Sequence, residues 1–118
     1  MPFSQKPIVT VIYSDNLSSI DFSVFINPNH CGAIITSTVN DMVEKWAKTN
    51  RLECLVFEPN WNIFGKKAVS VCYEEMVDAA DAVIVFWNGD MHDRKIIELL
   101  QYCYKSEKKC LCHMVEEF

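Results

Sequence analysis

Ala82-Val-Ile-Val-Phe-Trp87 is the stretch whose reading decides the fold. Its six apolar residues do not alternate with polar ones, and three in succession are β-branched. Such a run forms a strand that is covered on both faces, which places it inside a parallel sheet flanked by helices. Asn88-Gly89 then turns the chain. Beyond the turn, Asp93 to Tyr104 reads as a helix burying Ile96, Ile97, Leu100 and Cys103 or Tyr104, and Cys110 to Val115 as a further strand. On the other side, Gly65 to Ala80 reads as a helix with the stripe Ala68, Cys72, Met76 and Ala79. A loop from Glu58 to Asn62 precedes it, and Leu52 to Phe57 reads as a strand before that loop.

Nearer the N-terminus, Val39, Met42, Val43, Trp46 and Ala47 follow the spacing of one apolar helix face. Thr38 is the expected N-cap, with Asp41 where a capping box carries its acid. Ala33 to Thr36 and the β-branched run Ile8 to Ile12 are strands. Between them Ser18 or Ser19 is suited to cap a helix starting near Ile20. The alternation of Ile20, Phe22, Val24 and Ile26 suits a strand equally, and Pro28 ends either. Strand and helix alternate about five times at short spacing. The expected architecture is therefore α/β: a single Rossmann-like, doubly wound domain over residues 1–118, with a five-stranded, mostly parallel sheet ordered 3-2-1-4-5.

Composition narrows the function classes. With three glycines, at 32, 65 and 89, there is no Gly-x-Gly or Walker-type loop. Half the residues are apolar, enough for a core without disulfides or metal. The net charge of −5 is spread evenly: four basic against six acidic side chains in the first 59 residues, seven against ten in the rest. No basic stripe exists to neutralise phosphates, so nucleic acid is not an expected partner. Lys105 to Lys109, broken by Glu107, reads as a solvated helix end. No apolar run has the ~20 residues needed to span a bilayer, so no membrane partner is expected. Met1 to Pro7 lacks a signal-peptide core. The six cysteines mostly lie in apolar segments without a Cys-x-x-Cys, as expected of reduced thiols in a cytoplasmic protein. Cys110-Leu-Cys112-His113 has zinc-ligand chemistry, but on a strand His113 points away from the two thiols. No metal and no cofactor are expected.

In such a fold a ligand sits beyond the carboxyl ends of the strands, where the strand order reverses. That point is lined by Tyr13, Ser14 and Asp15 after the first strand, Ser37, Thr38 and Asn40 after the second, and Trp87, Asn88, Gly89 and Asp90 after the fourth. Trp61 is either a stacking platform or a lid beside Gly65. Trp46 lies on its helix stripe and is expected in the core. Asp90 is a candidate N-cap for the following helix. His92 with Asp90, Asp93 and Glu74 is the one constellation suited to proton transfer, but no nucleophile or oxyanion donor accompanies it.

Trp61-Asn-Ile-Phe-Gly65-Lys66-Lys67-Ala68, Glu74-Glu75-Met76, Asp81-Ala82 and Phe86-Trp87-Asn88-Gly89 follow one another in an order that resembles the YspA-like, YpsA-related branch of the SLOG superfamily. The likeness is close over residues 61–89. In outline it extends through Ile34 to Ser37 and Val43 to Ala47 to the whole domain. It implies a Rossmann-like fold and binding of nucleotides or nucleotide-derived ligands; superfamily relatives include phosphoribohydrolases and a DNA-processing protein. The ligand motifs differ. Tyr13-Ser14-Asp15 replaces Gly-Ser-Arg, Ser37-Thr38-Val39-Asn40 replaces a glycine-rich turn, Cys72-Tyr73 or Tyr73-Glu74 replaces Arg-Asn, and Met91-His92-Asp93-Arg94 replaces Ser-x-Gly-Thr.

Each change works against phosphate. Losing glycines adds Cβ atoms where the backbone would approach an anion, Asp90 and Asp93 occupy the positive end of a helix, and Asp15 reverses a charge. The expectation is a non-enzymatic SLOG-like domain that senses a nucleotide-like or other small polar ligand, neutral or cationic, and forms a homodimer through the outer faces of its last two helices. The alternatives are an interaction domain that has lost the pocket, and a hydrolase of nucleotides or N-glycosidic bonds. The hydrolase is disfavoured because the relatives' Gly-Gly-x-Gly-Thr and catalytic glutamate are missing.

Overall fold

The structure is a computed structural model and describes residues 6–14, 17 and 20–115. Strands β1 (Ile8–Tyr13), β2 (Ala33–Ser37), β3 (Cys54–Phe57), β4 (Ala82–Trp87) and β5 (Lys109–Met114) form one sheet ordered β3-β2-β1-β4-β5. Every neighbouring pair is parallel, so the sheet is wholly rather than mostly parallel. Helices α1 (Asp41–Thr49), α2 (Trp61–Phe64), α3 (Ala68–Ala79) and α4 (Arg94–Lys105) complete the domain. The run 82–87 forms a strand over its full length, held between β1 and β5.

Period-two alternation divides the sheet side chains between two cores. Ile12, Ile35, Val83 and Val85 pack on Val69, Cys72, Met76 and Val77 of α3 and Ile96, Leu99 and Cys103 of α4. Val9, Val11, Tyr13, Ile34, Ile84 and Phe86 face Val43 and Ala47 of α1 with Phe22 and Ile26. Thr10 sits on the α3 side without penalty because its hydroxyl donates to the Met76 carbonyl at 2.7 Å. No buried side-chain nitrogen or oxygen among the described residues lacks a partner.

The segment after residue 20 is neither a helix nor a strand. It makes two 3-10 turns, Phe22–Val24 and Pro28–His30. Asp21 Oδ1 accepts from Ser23 N at 3.1 Å and Asn27 Oδ1 from Asn29 N at 2.9 Å, so local side-chain bonds close single turns that compete with longer elements. Phe22 anchors the segment, 5.3 Å from Phe86 and 5.9 Å from Trp46 between ring centroids. Trp46 is half-buried rather than a core residue, because its indole N–H reaches out to the Ser23 hydroxyl at 2.9 Å. Ser18 and Ser19 lie outside the described residues.

Other boundaries shift for local reasons. Asn40, not Thr38, precedes α1, and Val39 is exposed outside the helix. The loop expected over Glu58 to Asn62 runs into a short helix, α2, capped by Asn60 Oδ1 on Ile63 N at 3.2 Å, and the helix expected from Gly65 opens as a 3-10 turn at Gly65–Lys67 before α3. α3 buries Val69, Tyr73 and Val77 beside the expected Ala68, Cys72 and Met76, whereas Ala79 is exposed. In α4 the fully buried residues are Ile96, Leu99 and Cys103; Ile97 and Leu100 are half-buried and Tyr104 is 86% exposed.

Helices α1 and α4 end alike. Arg51 (φ 57°) and Glu107 (φ 55°) adopt the left-handed conformation, and Leu52 N and Lys108 N donate back to Ala47 O and Cys103 O at 2.9 and 3.0 Å. Both are Schellman closures made without glycine.

Candidate functional site

The order reverses between β1 and β4, and the carboxyl ends of both strands carry the expected residues. Ser14 N donates to Phe86 O at 3.0 Å, which extends the β1–β4 ladder and brings the two ends together. What lies between them is a set of internal hydrogen bonds. Asn40 is fully buried; its Oδ1 accepts from Tyr13 N at 2.8 Å and its Nδ2 donates to Ser37 Oγ at 2.9 Å and Tyr73 Oη at 3.3 Å. One amide thus joins the ends of β1 and β2 to α3. Tyr13 Oη donates to Asp41 Oδ1 at 3.3 Å and accepts from Met42 N at 3.2 Å. Ser14 Oγ donates to Asp93 Oδ2 at 2.6 Å, while Asp93 Oδ1 caps α4 through Ile96 N at 3.4 Å.

Ser14, Ser37 and Asn40 are therefore brought together as expected, but buried and engaged with their neighbours. Tyr13, Asp41 and Tyr73 complete this set. Of these, Tyr13 is expected from the sequence as a lining residue and Asp41 only as the acid of a capping box. Tyr73 stands where the resembled family carries Arg-Asn, which was the available signal for it.

After β4 the chain folds on itself. The Trp87 indole N–H donates to Asp90 O at 3.2 Å, Asp90 N to Asn88 Oδ1 at 3.0 Å, and His92 N to Asp90 Oδ1 at 2.9 Å. Asp90 thus closes this turn, and the N-cap of α4 is Asp93. Gly89 has φ +87°, and a Cβ there would lie 2.6 Å from Met114 Cε. The proton-transfer constellation is not assembled: Asp93 is engaged by Ser14, and Glu74 lines a small gap between α3 and α4 with Lys95 and Glu98. Asp15 lies outside the described residues.

The carboxyl edge is open further along, beyond β3. A cleft of about 370 Å³ is lined by Glu58, Pro59, Asn60, Trp61 and Asn62. Trp61 is 56% exposed there, so it is not a packed lid, and no atom lies within 4 Å of a Cβ built on Gly65. Exposed Thr38 borders the same edge, its N–H donating to Phe57 O at 3.0 Å.

The electrostatics at the reversal point are acidic. Asp41 and Glu44 occupy the first turn of α1, and Asp93 caps α4. Both helix N-termini nearest the crevice already carry carboxylates, which offset the partial positive charge that would attract phosphate. No group of three or more His, Cys, Asp or Glu among the described residues could hold a metal ion. All six cysteines are unpaired. Burial raises the thiol pKa of Cys31, Cys54, Cys72 and Cys112. No helix of the described residues is long and apolar enough to cross a membrane.

No family model matches the chain, and neither curated proteins nor solved structures give a significant match.

Proposed function

We propose that the chain is a SLOG-like domain that binds, without turning over, a small neutral or cationic polar ligand such as a nucleoside, base or amine. The observation that carries this reading is Trp61, an exposed indole on an open cleft beside Glu58 and Asn60. Stacking on such a face contributes about 1–3 kcal/mol per base. The carboxylate favours amino groups over phosphates. The run from Trp61 to Gly89 and the strand order support the SLOG relationship. Since Ser14, Ser37 and Asn40 are engaged internally, the ligand is assigned to the Trp61 side of the carboxyl edge, with Thr38 beside it, and Trp87 and Asn88 farther off.

The test is thermal unfolding with adenosine, a diamine and ATP, on the wild type and Trp61→Ala. Adenosine or the diamine at 100 times its Kd should stabilise the wild type by about 2.7 kcal/mol, and the variant should lose the effect. ATP binding tighter than adenosine would overturn the reading.

A second reading, an interaction domain that has lost its pocket, is favoured by the hydrogen-bonded filling of the β1–β4 crevice. It predicts no shift with any of the three compounds. With either reading we propose a homodimer in the cytoplasm, joined through the outer side of α4. There Leu100, Gln101, Tyr104 and Lys105 border a shallow groove of about 480 Å³. Sedimentation of a 13.6 kDa species alone at micromolar concentration would exclude the dimer.

A further inference from the structure

The corner between α4 and β5 holds two thiols against each other. Cys103 lies in the last turn of α4 and Cys110 is the second residue of β5. The turn between them is closed by Ser106 N to Tyr102 O at 2.9 Å, Glu107 N to Tyr104 O at 3.2 Å and Lys108 N to Cys103 O at 3.0 Å. This folds the strand back beneath the helix. In the ladder Cys110 stands opposite Val83, on the sheet face that α4 covers, and its side chain packs on the core that contains Cys103. We propose that Cys103 and Cys110 are a reversible two-electron modification site, closing to an intramolecular disulfide when a small hydroperoxide reaches the corner.

The chemistry balances with hydrogen peroxide as the oxidant. The Cys103 thiolate attacks one peroxide oxygen, breaking the O–O bond and leaving a sulfenic acid and hydroxide. The Cys110 sulfur then attacks the Cys103 sulfur, forming the S–S bond and expelling the sulfenic oxygen as water once protonated. Two thiols and one peroxide thus give one disulfide and two waters. The S–H of Cys110 donating to Cys103 and the nearby Lys108 charge, against burial, lower the pKa of Cys103. Cys110 shifts the other way, held protonated by the same hydrogen bond and by burial. At 1% exposure Cys103 is closed to bulky oxidants. Cys112, two residues along the strand, is exposed and is an accessible thiol outside the pair.

Native protein, as wild type and Cys112→Ser, is treated with hydrogen peroxide, blocked with an alkylating reagent and digested with trypsin without reduction. Cleavage after Lys105 and Lys109 separates the two thiols, so the disulfide appears as peptide 96–105 joined to peptide 110–118. The joined pair is expected in both proteins and should be released by dithiothreitol. Cys103→Ser and Cys110→Ser, each in the Cys112→Ser background, should abolish it. Cys110 is half-buried on an edge strand, so its variant tests the pairing even if Cys103→Ser does not fold. Loss of the joined peptides in Cys112→Ser, oxidation of Cys103 to sulfinic acid without a link, or six alkylatable thiols after treatment would each overturn the proposal.

Discussion

The Ser14 hydroxyl donates to Asp93 Oδ2 at 2.6 Å and so ties the end of β1 to the N-terminus of α4 across 79 residues of sequence. Asp93 also caps the helix, so one carboxylate holds both sides of the reversal point. Asp93→Ala should lower stability by about 1–2 kcal/mol through the lost cap and the lost charge-assisted bond. The Ser14→Ala/Asp93→Ala cycle should show a coupling of roughly 0.5–2 kcal/mol in urea unfolding. Strict additivity would mean that the contact contributes nothing.

Asn40 should be more sensitive. Its amide serves Tyr13 N, Ser37 and Tyr73 from a fully buried position. Asn40→Leu removes these three bonds from a buried site and should cost about 3–5 kcal/mol, near the upper range for single substitutions. Denaturant midpoints measure this. A loss below about 1 kcal/mol would show that water replaces the amide.

The helix ends offer gains. Arg51 and Glu107 hold φ near +55°, a conformation that costs a residue with a Cβ about 1–2 kcal/mol. Arg51→Gly or Glu107→Gly relieves that strain but adds freedom to the unfolded chain. A net stabilisation of about 0.5–1 kcal/mol is expected for each, read as a higher melting temperature. At Gly89 the direction reverses. Gly89→Ala should destabilise by about 1 kcal/mol or more from φ alone, while the exposed Met114 side chain can swing aside.

Alkaline pH should unfold the domain early. Burial, assisted by the Glu75 charge, pushes the Cys72 thiol up to about 11 from an ordinary 9.0. In the unfolded chain the thiol loses its proton first. The contribution to stability is therefore complete below about pH 9 and lost as pH rises through 11, at up to about 1.4 kcal/mol per pH unit. Cys31, Cys54 and Cys112 shift the same way. Urea midpoints between pH 8 and 11 should fall, and Cys72→Ala should flatten the slope.

The sheet could be read in the sequence because its central runs are apolar on both faces and leave few other elements open to them. Ala82 to Trp87 and Ile8 to Tyr13 needed cover on two sides, and alternating helices supply it. Helix ends were harder. With arginine and glutamate in place of glycine after α1 and α4, no residue type marked the stops. The segment around Phe22 was ambiguous because Asp21 and Asn27 bond their own backbone, a competition that apolar spacing does not record. The candidate site was legible in position but not in state. Sequence placed Ser14, Ser37 and Asn40 at the reversal point, yet their burial depends on Tyr73 and Asp93, which arrive from other elements. For Trp61 the sequence leaves a stacking platform and a packed lid open, and its 56% exposure excludes the lid.

β1 stands at the centre of the sheet, but β4, the strand that pairs along its far side, begins at residue 82, and the helix that covers Ile12 and Ile35 begins at residue 68. A ribosome releasing this chain thus exports β1, β2, α1 and β3 with one sheet face bare. At about 5–20 residues per second, the remaining stretch through α4 takes roughly 2–10 s. For that interval Ile12 and Ile35 lack the helices that bury them in the folded domain. The nascent first half is therefore a natural client for a chaperone that grips apolar strands, and a truncation after Phe57 should be captured by one where the full chain is not.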